Sequence, residues 1–137
     1  MKRVFADTVY WVAIFNRRDS LHDLAKKTSG QHDNDIIVTT EMILTEFANF
    51  FSCFGAYFRK GAGDFIQEIR NDPNVVVELQ TTSLFQRGLS EYVQHLDKKW
   101  SMTDCASFSV MRSRGLFEAL TNDHHFEQAG FTILLKQ

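Results

Sequence analysis

The sequence predicts an α/β domain, a sandwich of helices around a mostly parallel sheet. Short apolar runs rich in β-branched residues alternate with segments of helical period, and the connections between them are brief. No internal repeat, linker or low-complexity stretch interrupts this alternation, so residues 1–137 read as one domain.

The elements follow in order. Lys2 to Ala6 is a short apolar run that fits a buried strand. A helix is expected near Leu21–Lys27, with Ser20 as N-cap and Asp23 at capping-box spacing. Gly30 and the polar run Gln31-His32-Asp33-Asn34 read as a break, and Asp35–Val38 as the second strand. From Thr40 to Phe54, apolar residues at Ile43, Phe47, Phe50, Phe51 and Phe54 repeat with the period of an amphipathic helix. Gly61–Arg70 is a further helix, ended by Asn71-Asp72-Pro73, and Val75–Val77 is the third strand. Ser83–Leu96 and Ser101–Arg114 are helical in composition, and Gly115 suits the C-terminal cap of the second. Phe117–Thr121 and Phe131–Leu135 complete a set of five strands.

Composition narrows the function classes. Hydrophobic residues make up 44% and charged residues 23%, ordinary for a globular chain that buries a real core. The 13 phenylalanines are a surplus, and part of it suits an oligomer interface. A net charge of −2 argues against coating nucleic acid through bulk charge. It permits an acidic centre flanked by Arg17-Arg18, Lys26-Lys27, Arg59-Lys60 or Lys98-Lys99, although any single pair is more simply a solvated helix end. Cys53 and Cys105 form no CxxC pair, which points to a reducing, cytoplasmic compartment. The start of the chain is basic then apolar, but Asp7 interrupts it and no cleavage site follows; no run approaches a membrane span.

Four carboxylates stand out by their places in the sequence. Asp7 sits alone in the apolar run Val4 to Val12, at the expected carboxyl end of strand one, where open α/β sheets bind ligands. Its structural alternative is to cap the helix that follows. Glu46 lies between Met42 and Phe50 on the edge of an apolar stripe, or it is a boundary residue reaching solvent. Asp104 shares a stripe with Phe108 and Met111, yet Ser101-Met102-Thr103-Asp104 is also a capping box. Asp123 follows a strand, as turn residues do. Jointly they matter more: carboxylates gathered along one sheet edge repel one another unless a hard divalent cation neutralises them. Oxygen ligands select Mg²⁺ or Mn²⁺, and such ions suit phosphodiester hydrolysis.

Four segments carry a resemblance that spans essentially the whole chain. Phe5-Ala6-Asp7-Thr8, Thr40 to Phe47, Ser101 to Phe108 and Ala119 to Phe126 resemble, in that order, the acid-bearing motifs of PIN-domain nucleases. That group includes VapC-type toxins and their stand-alone relatives. The resemblance implies a PIN-like three-layer sandwich with a five-stranded sheet and helices on both faces. It implies a metal-dependent ribonuclease in which Asp7, Glu46 and Asp104 are the principal Mg²⁺ or Mn²⁺ ligands. Asp123 would hold a second ion or orient water, and Thr8 and Thr103 would bond a carboxylate or a water on the metal. It also implies RNA as substrate and frequent homodimers. A toxin would be silenced by a small antitoxin offering an arginine to the carboxylates, whereas a stand-alone enzyme needs no such partner; both stay open. His124 and His125 read as surface or packing residues before catalytic ones, and Cys105 as core.

The alternative is a catalytically silent PIN-like module that binds RNA or a protein. A phosphoaspartate receiver would need an acidic pair at strand one and a lysine after the last strand. A dehalogenase-like phosphatase would need Asp-x-Asp where this chain has Asp7-Thr8-Val9. Neither pattern is met.

Overall fold

A computed structural model describes residues 2–137. Its elements run β1 (Arg3–Ala6), α1 (Thr8–Phe15), α2 (His22–Gln31), β2 (Ile36–Thr40), α3 (Glu41–Phe50), α4 (Ala56–Asn71), β3 (Val75–Glu78), α5 (Thr82–Gln94), α6 (Met102–Ser113), β4 (Glu118–Leu120), α7 (His124–Gln128) and β5 (Thr132–Ile133). The five strands pair in the order β3-β2-β1-β4-β5. Every pairing is parallel, with Val4 opposite Ile37 and Phe5 opposite Ala119. The α/β sandwich expected from the sequence is borne out.

That order fixes where the helices lie. From β1 through β2 to β3 the chain steps one way; from β3 it crosses back to β4 and on to β5. Right-handed crossovers therefore put α1–α4 on one face of the sheet and α5–α7 on the other. The aromatic surplus divides accordingly. On the first face Phe15, Phe47, Phe51 and Phe65 meet with ring centroids 5.1–5.6 Å apart. On the second, Phe108 packs edge-on against Trp100 and Phe126 at 5.0 Å, and Phe126 reaches Phe5 in β1. Strand order reverses between β1 and β4, so the connections leaving their carboxyl ends run to opposite faces of the sheet and leave a crevice, the topological switch point of an open parallel sheet.

Some local expectations are corrected. Residues 8–15 form α1, which has no periodicity to reveal it, because five of its eight residues are buried and no polar face repeats. The cap at Ser20 does not form: α2 starts after Leu21, without a side-chain cap. Gly30 lies inside α2 rather than breaking it. Helix α3 stops at Phe50, and α4 begins at Ala56, five residues before Gly61. The five-residue helix α7 occupies what the sequence presents only as a segment after a strand. By contrast, the Ser101–Asp104 capping box is present, and Gly115 follows α6 with φ 66°, the left-handed conformation expected of a helix stop.

Candidate metal and active site

Three of the four acids are delivered by the ends of elements. Asp7 leaves β1 and caps α1, its Oδ1 accepting from the Thr8 amide at 2.8 Å. Asp104 stands in the first turn of α6, where its Oδ2 accepts from the Ser101 amide at 3.1 Å. Asp123 caps α7, accepting from the His125 amide at 2.9 Å. Glu46, the fourth, projects from the middle of α3. All four line one cavity of about 770 Å³ at the switch point, together with Thr8, Asp19, Asn49, Lys99, Ser101 and His125. The structural roles weighed for Asp7 and Asp104 are thus real, and they coexist with a place in the cavity wall.

Hydroxyls and one imidazole tie the acids together. Thr8 Oγ1 donates to Glu46 Oε1 at 2.5 Å, linking α1 to α3. Thr121 Oγ1 donates to Asp7 Oδ2 at 2.8 Å and accepts from the Asp123 amide at 3.1 Å, so one buried hydroxyl spans two of the acids. The Asp7 amide in turn donates to Leu120 O at 3.3 Å, which clamps the ends of β1 and β4. His125 Nδ1 stands 3.3 Å from Asp104 Oδ2 and 3.4 Å from Asp123 Oδ1. Thr103, paired with Thr8 in the resemblance, is partly buried and does not line the cavity; Ser101 lines it instead.

The electrostatics are those of a site short of positive charge. Burial pushes the Asp7 carboxyl up to about 7, and the charges of Asp104 and Glu46 add to that. The bonds from Thr121 and Thr8 oppose the rise without cancelling it. Asp104 is raised as well, by burial and then by Asp123, against the Ser101 amide and His125. The donor chemistry fits a hard divalent cation: carboxylate oxygens line one cavity, two of them on groups held above their usual range by burial and by neighbouring acids. The tightest cluster of possible ligands among the described residues is Asp123, His124 and His125, whose donor atoms lie within 4.8 Å of one another. Cys105, next to Asp104, is buried, and its thiol is pushed up to about 11 by burial, which suits packing and not nucleophilic attack.

Several residues in or behind the cavity wall carry no sequence signal of their own. Thr121, buried behind Asp7 rather than lining the cavity, reads as the last residue of a strand, and only its position two before Asp123 hints at more. Asp19 accepts from the Leu21 amide at 2.9 Å and adds a fifth carboxylate to the wall. Of the four basic pairs singled out above, only Lys98-Lys99 contributes a residue, Lys99, to the lining.

The fold and site define a parallel α/β protein with an acid-lined cleft at its topological switch point. No family model matches the chain. It is 29% identical over 128 residues to the 23S rRNA-specific endonuclease VapC20 of Mycobacterium tuberculosis, a match covering 93% of this chain and 95% of that protein. The crystal structure of VapC20 from the same organism, described as a sarcin-ricin loop cleaving toxin, aligns with TM-score 0.83 at 28% identity, covering 94% of this chain and 96% of the other. FitAcB from Neisseria gonorrhoeae aligns with TM-score 0.63 at 11% identity over 96% of both chains, a likeness of fold alone. The resemblance to VapC-type PIN-domain nucleases therefore holds over more than nine-tenths of the chain, in sequence and in fold.

Proposed function

We propose that this protein is a divalent-metal-dependent endoribonuclease, the toxin of a toxin–antitoxin pair, with Asp7, Glu46, Asp104 and Asp123 as its working carboxylates. The observation that carries the reading is the convergence of these four acids, from β1, α3, α6 and α7, on one cavity at the β1/β4 switch point. The burial of Asp7 beside two further acids, which raises its carboxyl to about 7, supports the catalytic reading over that of a silent binding module.

Mg²⁺ or Mn²⁺, when bound among these oxygens, would activate water and neutralise charge on the phosphate and the leaving oxygen. The chain's own residues prepare that arrangement. Thr121 and the Thr8 amide fix both Asp7 oxygens, so the carboxylate presents a set geometry. Thr8 fixes Glu46 in the same way, and the capping box holds Asp104. His125 spans Asp104 and Asp123 and holds them at a fixed spacing. Lys99 supplies the positive charge of a lysine at the rim of an otherwise acidic cavity, where a substrate phosphate would approach.

The likeness to a 23S rRNA-specific endonuclease described as a sarcin-ricin loop cleaving toxin makes a ribosomal RNA loop the first substrate to try. An antitoxin segment carrying an arginine would complement five carboxylates in one cavity. A homodimer and a cytoplasmic location complete the proposal; no helix among the described residues is long and apolar enough to cross a membrane. Calorimetric titration with Mn²⁺ tests the metal site. Wild type should bind, and Asp104→Asn and Glu46→Gln should each bind more weakly, by roughly ten-fold or more. Equal affinity across the three proteins would remove these acids from the site.

A further inference from the structure

A second cavity adjoins the acidic one. It measures about 550 Å³, is lined by Tyr92, His95, Leu96, Lys98 and Trp100, and shares Lys99 and Ser101 with the first. We propose that it is the subsite for single-stranded RNA flanking the bond that is cut. The inference rests on the nuclease reading above and adds to it where the strand goes.

Charge gives the direction. Five carboxylates and one lysine line the first cavity, whereas no carboxylate lines the second, which has two lysines. A polyanionic strand is held over the acids only at the cation, so beyond that point it gains by leaving towards Lys99 and Lys98. The nearby carboxylates are already engaged: Glu91 accepts from Arg112 and lies 3.1 Å from His95 Nε2. Asp97 pairs with Lys98 at 3.4 Å in an exposed contact, which a phosphate can displace at little cost.

Shape and surface chemistry agree. Tyr92 is 49% exposed and Leu96 is 86% exposed, apolar area that the core does not use. Behind them His95 packs on Trp100 with centroids 4.8 Å apart, and Trp100 Nε1 donates to Gln128 at 3.0 Å, so the floor is held from two elements. An exposed aromatic ring beside two lysines is the kind of surface that unpaired nucleotides bind, through stacking of a base and contacts to phosphates.

The test uses steady-state cleavage, in Mn²⁺, of a dye–quencher RNA strand chosen from those that wild type cuts in a mixed pool. Lys98→Ala should lower kcat/KM through KM and reduce the slope of log(kcat/KM) against log salt by about 0.7, the share of a single neutralised phosphate. Tyr92→Ala should raise KM by roughly ten-fold, and Tyr92→Phe should restore it, because stacking needs the ring and not the hydroxyl. Unchanged KM and salt slope in either alanine variant, with wild type active, overturns the subsite and leaves the nuclease reading standing. A wild type that cuts no RNA with either metal overturns the nuclease reading, and the subsite with it.

Discussion

Asp7 ends a strand, caps a helix, accepts from Thr121 and faces two further carboxylates, and these demands set its pH behaviour. Its folded-state carboxyl is raised from 3.8 to about 7, so the folded protein keeps a proton that the unfolded chain releases at lower pH. The native state thus binds more protons between about pH 4 and pH 7, and stability from this group is lost as pH rises through that window. Thermal melts in chelator should show the melting temperature falling across it, and Asp7→Asn should flatten part of the fall while leaving the fold intact. A metal-free variant markedly less stable than metal-free wild type would make Asp7 structural. Thr121→Val removes the donor to Asp7 and the acceptor for the Asp123 amide, both buried or partly so. It should destabilise by about 1–3 kcal/mol and weaken Mn²⁺ binding. Denaturant unfolding and calorimetry check both, and unchanged metal affinity would confine Thr121 to stability.

The acids are positioned by elements whose packing can be tested apart from the chemistry. Helices α5 and α6 approach closely at Gly88, where an added Cβ would stand 3.3 Å from the Ala106 backbone nitrogen. Gly88→Val should therefore push α6, and Asp104 with it, away from the cavity. The expected result is a loss of about 1–3 kcal/mol and weaker metal binding. A variant with both properties unchanged would mean that the two helices yield freely. At this scale the sequence is legible where local chemistry speaks: the β-branched runs, the amphipathic stripe of α3, the capping box of α6 and its closing glycine. It is illegible where burial removes the pattern. Helix α1, packed between the sheet and its neighbours, has no polar face to betray its period, and α7 is too short to show one. Ser20 has cap chemistry but lies one position too early, and the cavity claims it instead.

For the whole molecule, topology turns scattered motifs into one site. Asp7 and Asp123 lie 116 residues apart in sequence (123 − 7), yet the crossover from β3 back to β4 sets their strands side by side. Asp7 and Glu46 are legible because each stands in or beside an apolar pattern and Asp104 because it shares a stripe with Phe108 and Met111, whereas Asp123 is legible only jointly with them. Thr121, Asp19 and Lys99 are not: Thr121 meets Asp7 only through that strand pairing, and Asp19 and Lys99 reach the cavity from neighbouring loops, not by local spacing. The same topology puts the basic, aromatic cavity beside the acidic one. The proposed divalent-metal cleavage of RNA at this acid cluster is tested first by incubating a mixed RNA pool with purified wild type and Asp7→Asn, each with Mg²⁺ or Mn²⁺ and with chelator. Cleavage by wild type alone, abolished by chelation, is expected. Equal cleavage by both proteins, or cleavage that survives chelator, would contradict the proposal.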